Sequence, residues 1–540
     1  MLIINPRKLT APLLLLLLLI AAPAHARQKA PVKLPPPDKV VGEYVKAVGG
    51  KKSLAALRDA TYEWDVRRGG DAAGTARTRL KGPSSLRTDL LLEAGERDEA
   101  ANARSAWVLE QGGHLRTLTD AESHSARLRA LLEAGRFADY KKQKVLARTV
   151  ALEEVGGEPA YLVEFATRAG ARLRYWFAVS RKVPLQMTDE TRRLRVRFAD
   201  WRARPGSPLL LEPHRVEVEE EGGAALSMTL RGASYNTGLA DTLFEPPSDA
   251  SLDIEALLRD LARNQDEADK RVNDYTFTQK VTEREVTDKG VVKKEKVSVY
   301  EVYPVLYSRW VLKLVSENGV PLSAERAAKE EKRVAEELEK AEREAPKNKA
   351  KYERRREERR AKRKAKAADA KESADAEDED DDEVDIATFL RACELVSPRR
   401  ETFRGRDSIV FDFRPRPGFR PSNRAESVVS KLSGIIWIDP AERQVVRLEA
   451  RLVDAFKMGG GLLASIKSGS AFVFEQTRLP EGVWLPRYSQ VNLSARVMLF
   501  AGMTVNETRE FSDYKRFSSN TGEDKLNFPK PKPTPEPEKP

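Results

Sequence analysis

The chain has 540 residues and a formal net charge of +11, from 95 Lys and Arg against 84 Asp and Glu. Hydrophobic residues make up 40% and charged residues 33%, a balance typical of a globular protein of about two to four domains with some strongly charged segments. The single cysteine, Cys393, excludes an intramolecular disulfide, so stability must come from ordinary apolar cores.

Residues 1–26 have the pattern of a secretory signal peptide. Arg7 and Lys8 precede an aliphatic run from Leu13 to Ile20, and the small-residue triplet Ala24–Ala26 follows it. A membrane anchor is the alternative, but a span needs roughly 20 apolar residues and this run is much shorter. We therefore expect export, cleavage at the end of this segment, and a mature chain in the cell envelope or outside the cell.

Residues 38–247 are predicted to form one domain with a curved antiparallel sheet and covering helices. Apolar residues recur at helical spacing over residues 38–48, and Gly49-Gly50 ends that helix. From Tyr62 the apolar period changes to two, the pattern of a half-buried strand. Hairpins follow, with a second helix predicted at residues 123–132. The predicted hairpin strands are Tyr161–Phe165, Leu173–Val179, Leu194–Phe198, Val216–Val218 and Leu226–Leu230.

Residues 251–520 are predicted to form a second domain of the same kind. A helix over residues 251–270 opens it, and short strands joined by short turns follow, so this sheet is also expected to be antiparallel. The predicted fold class is therefore α+β, with two curved antiparallel half-barrel sheets that each have covering helices. The Pro-rich tail, residues 521–540, is predicted to be disordered. The predicted strands are Tyr275–Glu285, Val291–Val305, Trp310–Ser316, Ile409–Phe413, Ile435–Ile438, Val446–Leu452, Phe472–Phe474, Trp484–Leu485, Val491–Leu493 and Val497–Leu499.

A charged insertion, residues 323–383, interrupts the second domain. Its first part, Ser323–Glu344, has acidic and basic residues at helical spacings and predicts a charged helix that Pro346 breaks. Lys347–Lys366 is strongly basic, and Glu377–Glu383 is a run of seven carboxylates. The insertion is therefore predicted to be a solvated helical arm followed by a disordered linker.

The basic segment 347–366 is the one candidate in the chain for an anionic partner. Only Tyr352 interleaves its cations, so no platform for stacking bases is visible, and an exported chain does not meet cellular nucleic acid. We therefore expect no nucleic-acid partner. Solvation alone, an anionic membrane surface, cell-wall polymers and envelope proteins stay open as alternatives for this segment.

No motif of a known catalytic chemistry occurs in the sequence. The chain has no G-x-x-x-x-G-K-[ST] run, no H-E-x-x-H pair and no G-x-S-x-G elbow. His114, His124 and His214 lie far apart in the sequence, and the many carboxylates form no distinctive pair. We predict that the protein is not an enzyme and uses no cofactor or metal, with a hydrolase as the weakest alternative.

The concave face of each curved sheet must be covered or filled. If the helices cover it incompletely, an apolar cavity remains that can take lipid chains. If the side chains fill it, the same residues form a solid core, and the apolar pattern alone favours this second interpretation. The candidates for a lipid-binding cavity wall are Trp64, Trp107, Phe177, Val196, Phe198, Met228, Leu230, Phe411, Trp437 and Leu448.

Several segments resemble outer-membrane lipoprotein-sorting proteins, the LolA/LolB-like superfamily of the bacterial envelope. The opening DKVVGEYVKAVGGKKSLAALRDATYEW resembles the start of that family, and AWVLEQGGHLRTL, VGGEPAYLVEF and DTLFEPP follow in the expected order. In the second domain, SENGVPLSAERAAKEEKR, GIIWIDPAERQVVRLEARL and EGVWLPRY resemble a longer relative of the same half-barrel group. The chain is therefore similar to a tandem arrangement of this fold.

The resemblance implies an incomplete antiparallel barrel with a helical lid over a hydrophobic cavity that holds acyl chains. It implies a periplasmic or outer-membrane-associated protein that binds lipid or lipoprotein acyl chains and takes part in lipoprotein sorting to the outer membrane. No arginine of this chain can be matched to the family's barrel-to-lid contact, and the second domain and charged arm depart from the single-domain sorting protein. The alternative is a non-catalytic structural or interaction protein with filled cores and a charged partner-binding arm.

Overall fold

The computed structural model describes residues 33–516, apart from gaps at 205–206, 253–256, 258–260, 262–271, 287–291, 305–309, 369–385, 459–463 and 498–500. The predicted signal peptide, the tail and most of the helix predicted for residues 251–270 lie outside the described residues. Within the described part of the chain, no helix has both the length and the apolar character needed to cross a membrane.

The first sheet is a curved, unclosed antiparallel sheet of thirteen strands. Its strands are β1 Asp59–Arg68, β2 Asp71–Lys81, β3 Ser85–Leu92, β4 Gly95–Ala101, β5 Ala106–Leu109, β6 Leu115–Thr117, β7 Leu146–Val155, β8 Glu158–Ala166, β9 Arg172–Ala178, β10 Pro184–Asp189, β11 Leu194–Arg204, β12 Ser207–Glu220 and β13 Leu226–Tyr235. Strands β1 to β6 and β7 to β13 each pair in chain order, and β13 pairs with β1. Strands β6 and β7 are therefore the two edges, and the chain crosses between them on the concave side.

Three helices accompany the first sheet: α1 Pro37–Ala47, α2 Gly50–Ala56 and α3 Asp120–Ala134. The buried face of α1, with Val41, Tyr44 and Val45, packs into the same apolar cluster as Leu128 and Leu132 of α3. This cluster includes the inward-facing residues of the sheet, so α1 and α3 cover its concave face. The two helices predicted for residues 38–48 and 123–132 are confirmed.

The second sheet is also antiparallel, curved and unclosed, and also has thirteen strands. Its strands are β14 Tyr275–Val286, β15 Val292–Tyr303, β16 Val311–Glu317, β17 Val320–Pro321, β18 Cys393–Phe403, β19 Arg406–Pro415, β20 Leu432–Asp439, β21 Gln444–Leu452, β22 Phe456–Met458, β23 Ala464–Ile466, β24 Ala471–Arg478, β25 Trp484–Val497 and β26 Ala501–Arg516. The first of these strands in the chain, β14, pairs with the last, β26, in the middle of the sheet. The edge strands are β17 and β18. The predicted α+β class with two half-barrel sheets is confirmed.

Strands β17, β18, β22 and β23 have no counterpart among the sequence predictions, and β25 and β26 also depart from them. The two short strands predicted at Trp484–Leu485 and Val491–Leu493 are parts of one strand, β25, because a register shift near Tyr488 lets the pairing with β24 continue. Strand β26, which follows it, was not predicted because its polar residues obscure the alternation. Two short helices, α5 Ile386–Ala392 and α6 Arg424–Val429, pack near β18 and complete this unit. They follow the long helix α4, Ala324–Ala368.

Helix α4 runs from Ala324 to Ala368 without a break at Pro346, so the prediction of a helix end there is wrong. The segment is rich in Ala, Glu, Lys and Arg, which are strong helix formers, and Pro346 is exposed, so water can bind the backbone carbonyl that the proline leaves unpaired. Val334 and Ala341 of α4 pack against Tyr303 and Val311 of the sheet. The acidic run 377–383 lies outside the described residues.

A buried polar network joins the two sheets. Arg399 on β18 donates from Nη2 to Thr117 Oγ1 on β6 at 2.7 Å and from Nε to Glu401 Oε1 at 2.8 Å. The same guanidinium lies 3.0 Å from Asp412 Oδ1, and Asp412 Oδ2 accepts from Ser105 Oγ at 2.7 Å. These side chains are almost wholly buried, so the interface between the sheets is held by charged groups that water does not screen.

A second buried arginine, Arg447, connects the second sheet to helix α3. Arg447 on β21 forms ion pairs with Glu475 at 2.6 Å, with Glu449 at 2.7 Å and with Asp120 at 2.5 Å. Asp120 is the first residue of α3, so the helix that covers the first sheet is also tied to the second sheet. Helix α3 therefore contacts both sheets: it packs on the first sheet and forms an ion pair with the second.

Candidate functional site

A cavity of about 670 Å³, partly open to solvent, lies between the concave face of the first sheet and helix α3. Its size falls in the range of about 300–1,000 Å³ that is typical of small-molecule sites. Apolar side chains from both halves of the sheet line it, and those that form the wall include Trp64, Leu90, Val196, Phe198, Val216 and Met228. The sheet curves around this space because β1 pairs with β13, which brings the strands of the two halves together.

Four of the ten cavity candidates lie on this wall: Trp64, Val196, Phe198 and Met228. The alternation of β1, β11 and β13 places them there, since residues two apart on a strand share one face. Leu230, two positions beyond Met228, is partly buried and packs against the same core.

The other two candidates of the first sheet are packed in solid core. Phe177 is buried in an aromatic cluster, with its ring 5.7 Å from that of Tyr44 and 5.6 Å from that of Phe137. Trp107 is wholly buried and donates from Nε1 to the carbonyl oxygen of Phe244 at 3.2 Å. In the second sheet, Phe411 and Trp437 are wholly buried in two separate apolar clusters, and Leu448 packs against the cluster that contains Phe411.

Charged side chains near α3 line the helix side of the cavity, which the apolar pattern did not predict. Arg129 donates from Nε to Glu133 Oε1 at 3.0 Å, and the Tyr175 hydroxyl donates to the same oxygen at 3.2 Å. Arg136 donates from Nη2 to the hydroxyl of Tyr62 at 3.1 Å. The Tyr62 hydroxyl donates in turn to Glu212 Oε1 at 2.9 Å, so burial and this carboxylate raise the pKa of Tyr62 to about 12.

A second ion pair lies at the β4 side of the cavity. Arg192 donates from both terminal nitrogens to the two carboxylate oxygens of Glu99 at 2.6 Å each. Burial opposes ionisation of Glu99, but the Arg192 guanidinium outweighs it and holds the pKa of Glu99 at about 2. Arg129 is paired with Glu133 and Arg192 with Glu99, so these charged groups position side chains rather than offering a reactive acid or base.

One hydrogen-bond donor of the cavity has no protein partner within the described residues. The Nε1 of Trp201, on β11, is buried and unpaired, and Trp201 lines the cavity. A buried donor without an acceptor costs free energy. A ligand with an oxygen near Trp201 would supply that acceptor.

In the described part of the chain, no group of three or more His, Cys, Asp and Glu side chains is arranged to hold a metal ion. His124 on α3 is largely buried, and burial together with the nearby Arg127 lowers its pKa to about 4. Cys393 is buried, and burial raises the pKa of its thiol to about 12. Neither group is poised for proton transfer or nucleophilic attack near neutral pH.

The sequence matches no family model and no curated protein. Among solved structures, the chain is similar to a DUF1329 family protein from Desulfovibrio piger, with 14% identity, a TM-score of 0.27, and coverage of 39% of this chain and 98% of that chain. It is also similar to a LolA superfamily protein from Nitrosomonas europaea, with 14% identity, a TM-score of 0.27, and coverage of 38% and 96%. A third similar structure is the lipoprotein LppX of Mycobacterium tuberculosis, with 9% identity, a TM-score of 0.16, and coverage of 38% and 98%.

The LolA superfamily, which the sequence resembles, is thus among the structural neighbours of this chain. Each of these three matches covers about two fifths of the chain and nearly all of the other protein. At TM-scores this low, the likeness carries no argument about function, which must be argued from the chain's own cavity.

Proposed function

We propose that the protein binds the acyl chains of a lipid or lipoprotein in the cavity of the first sheet. The observation that carries this proposal is the apolar wall itself, in which Trp64, Phe198 and Met228 line a space of about 670 Å³. A solid core would have filled this space, since protein interiors are close-packed. The cavity therefore favours a ligand-binding protein over the alternative with filled cores.

The energetics of the cavity suit a long apolar chain. Each methylene that leaves water contributes about 0.8 kcal/mol, so a chain of about ten buried methylenes contributes about 8 kcal/mol. Association costs at least about 4 kcal/mol because the ligand loses translational and rotational freedom. A short acyl chain would therefore bind weakly, and a long one would bind with higher affinity. Reversible partition of this kind needs no cofactor and no catalytic group, in keeping with a carrier rather than an enzyme.

The wider role that we propose is that of an exported protein of the periplasm or outer membrane that takes part in lipoprotein sorting. The division into domains at residues 38–247 and 251–520 is part of this proposal, with the second domain as a partner of the lipid-binding one. Helix α4 carries the basic segment 347–366, which we propose contacts an anionic membrane surface or an envelope protein.

The direct test of this function is equilibrium binding of a fluorescent fatty acid to the mature chain, residues 27–540. We expect a saturable rise in probe fluorescence, with one site per chain, that an unlabelled long-chain fatty acid reverses. Acyl chains shortened to a few carbons should compete poorly, because the free energy of transfer grows with each methylene. Binding that does not saturate, or that is indifferent to chain length, would contradict the proposal.

A further inference from the structure

A second cavity, of about 820 Å³, lies between the two sheets and is separate from the one described above. Helix α3 is a wall of both cavities. Arg129 and Glu133 of this helix face the first cavity, whereas Arg127 and Leu131 face the second. The opposite wall is formed by the second sheet and its turns, with Lys467 as one of the lining residues. We call this second cavity the intersheet cleft.

The intersheet cleft is strongly cationic. Six of its lining residues are basic, namely Arg127, Lys141, Lys144, Arg168, Arg451 and Lys467. Among the described residues that line it, Asp38 is the sole carboxylate, and Asp38 already accepts hydrogen bonds from Lys141 and Tyr140. His124 adds no charge near neutral pH because its pKa is lowered to about 4. The lining therefore carries a large positive excess.

Two arginines of the cleft, together with Arg104, form a like-charged cluster. Arg127 Nη2 donates to the carbonyl oxygen of Ala103 at 2.8 Å, and Arg451 Nη2 donates to the same oxygen. The Nε atoms of Arg104, Arg127 and Arg451 are buried and have no hydrogen-bond partner within the described residues. Burial and the charges of Arg127 and Arg104 lower the pKa of Arg451 to about 9.

Nearby carboxylates balance the positive charge of this arginine cluster only in part. Arg104 is paired with Glu245, and Glu449 and Asp412 lie near enough to Arg127 to favour its charged form. Among the described residues, the charged groups that act most strongly on Arg451 are Arg127 and Arg104, which disfavour its charged form. A buried guanidinium with like-charged neighbours and an unpaired N–H is unfavourable unless an anion is present.

We propose that the intersheet cleft binds a phosphate group, with Arg127 and Arg451 as its principal ligands. Guanidinium groups match phosphate oxygens in geometry, and a phosphate that carries up to two negative charges balances the clustered cations. Lys144, which bridges the sheets by donating from Nζ to the carbonyl oxygen of Ser468 at 3.0 Å, lines the same cleft. Leu131 and Leu493 also line it, so the phosphate can come from a soluble phosphate or from a phospholipid headgroup with its chains against these leucines.

The test is isothermal titration calorimetry of the mature chain with two probes, inorganic phosphate and dihexanoyl phosphatidic acid, in a background of matched ionic strength. We expect saturable binding of at least one probe. Arg451→Gln should lower the affinity about tenfold or more, the factor for losing one charge-assisted hydrogen bond. The same variant should keep or raise the thermal midpoint without phosphate, because it removes a like-charge contact. An arginine with a purely structural role would instead lower that midpoint.

Arg195→Gln is the matched control, since Arg195 lies outside the cleft and pairs with Glu219 at 3.1 Å on the first sheet. It should leave phosphate binding unchanged, and Arg127→Gln should reproduce the loss if Arg451→Gln does not fold. Equal affinity for both probes would identify soluble phosphate as the source, and tighter binding of phosphatidic acid would identify a lipid headgroup. Absence of saturable binding with either probe, or equal loss in the control and Arg451→Gln, would overturn the proposal.

Discussion

Replacing Arg399 with leucine is expected to lower the free energy of unfolding by about 3–5 kcal/mol, the cost of removing one partner from a buried ion pair. The Arg399 side chain is 2% exposed, and its loss leaves Glu401 and Asp412 buried without their cation. It also removes the hydrogen bonds to Thr117 that join β18 to β6 across the interface between the sheets. The measurement is urea denaturation followed by circular dichroism, in which we expect a lower midpoint for Arg399→Leu.

The neighbouring residue provides the matched control. Arg400 pairs with Asp407 on the surface, where both side chains are more than half exposed, so Arg400→Leu should cost no more than about 1 kcal/mol. The two substitutions change the charge and composition of the chain identically and differ in burial alone. If both variants unfold at the same urea concentration, the buried network does not stabilise the arrangement of the two sheets.

Replacing Phe198 with aspartate is expected to weaken acyl-chain binding about a hundredfold or more. The aromatic side chain on the cavity wall contributes about 1.5–3 kcal/mol of apolar contact, and a carboxylate in its place must be desolvated when an acyl chain enters. Each 1.4 kcal/mol corresponds to a factor of ten in affinity. Phe198 is only partly buried, so we expect the fold to survive. The measurement is the fluorescent fatty-acid titration described above, with circular dichroism to confirm folding.

Ala199→Asp is the control for the charge introduced into β11. Ala199 follows Phe198 on the same strand and points to the opposite face of the sheet, where a carboxylate stays in contact with water. It should bind the fatty acid like the unmodified chain. A similar loss in both variants would mean that charge on β11 acts through the sheet as a whole, and that Phe198 does not contact the ligand.

The sequence predicted those parts of the fold in which apolar residues alternate with polar ones. Tyr62, Trp64 and Val66 alternate with charged residues, and the structure has β1 there. The same alternation in β11 and β13 placed Val196 and Met228 on one face, and both line the cavity. These positions were predictable because one face of each strand is buried and the other is not.

Strand β2 escaped prediction because polar residues contribute to both of its faces. Strand β2 carries Arg77 and Arg79, which pair across strands with Glu63 and Asp89, so contacts between charges contribute to its stability. Such pairs look like a solvated segment in the sequence. The partner of each charge becomes visible only when the register of the sheet is known.

The cavity and the intersheet cleft depend on contacts between residues far apart in the chain. Arg399 and Thr117 are 282 positions apart, and the carbonyl oxygen of Ala103 is 348 positions from Arg451. No local pattern indicates that such residues meet. The apolar pattern also could not distinguish Trp64, which lines the cavity, from Phe177, which is packed in an aromatic cluster and does not line it. A strand period gives the face of a side chain but not whether that face is filled.

Native mass spectrometry with lipid extraction tests the proposed function most directly. Residues 27–540, the proposed mature chain, would be purified from the cell envelope without detergent. We predict a stoichiometric adduct with the mass of a lipid or acylated peptide, which disappears in Phe198→Asp and persists in Ala199→Asp. A clean apo mass that stays unchanged after incubation with lipid or lipopeptide would contradict acyl-chain binding and favour a structural role for the two sheets.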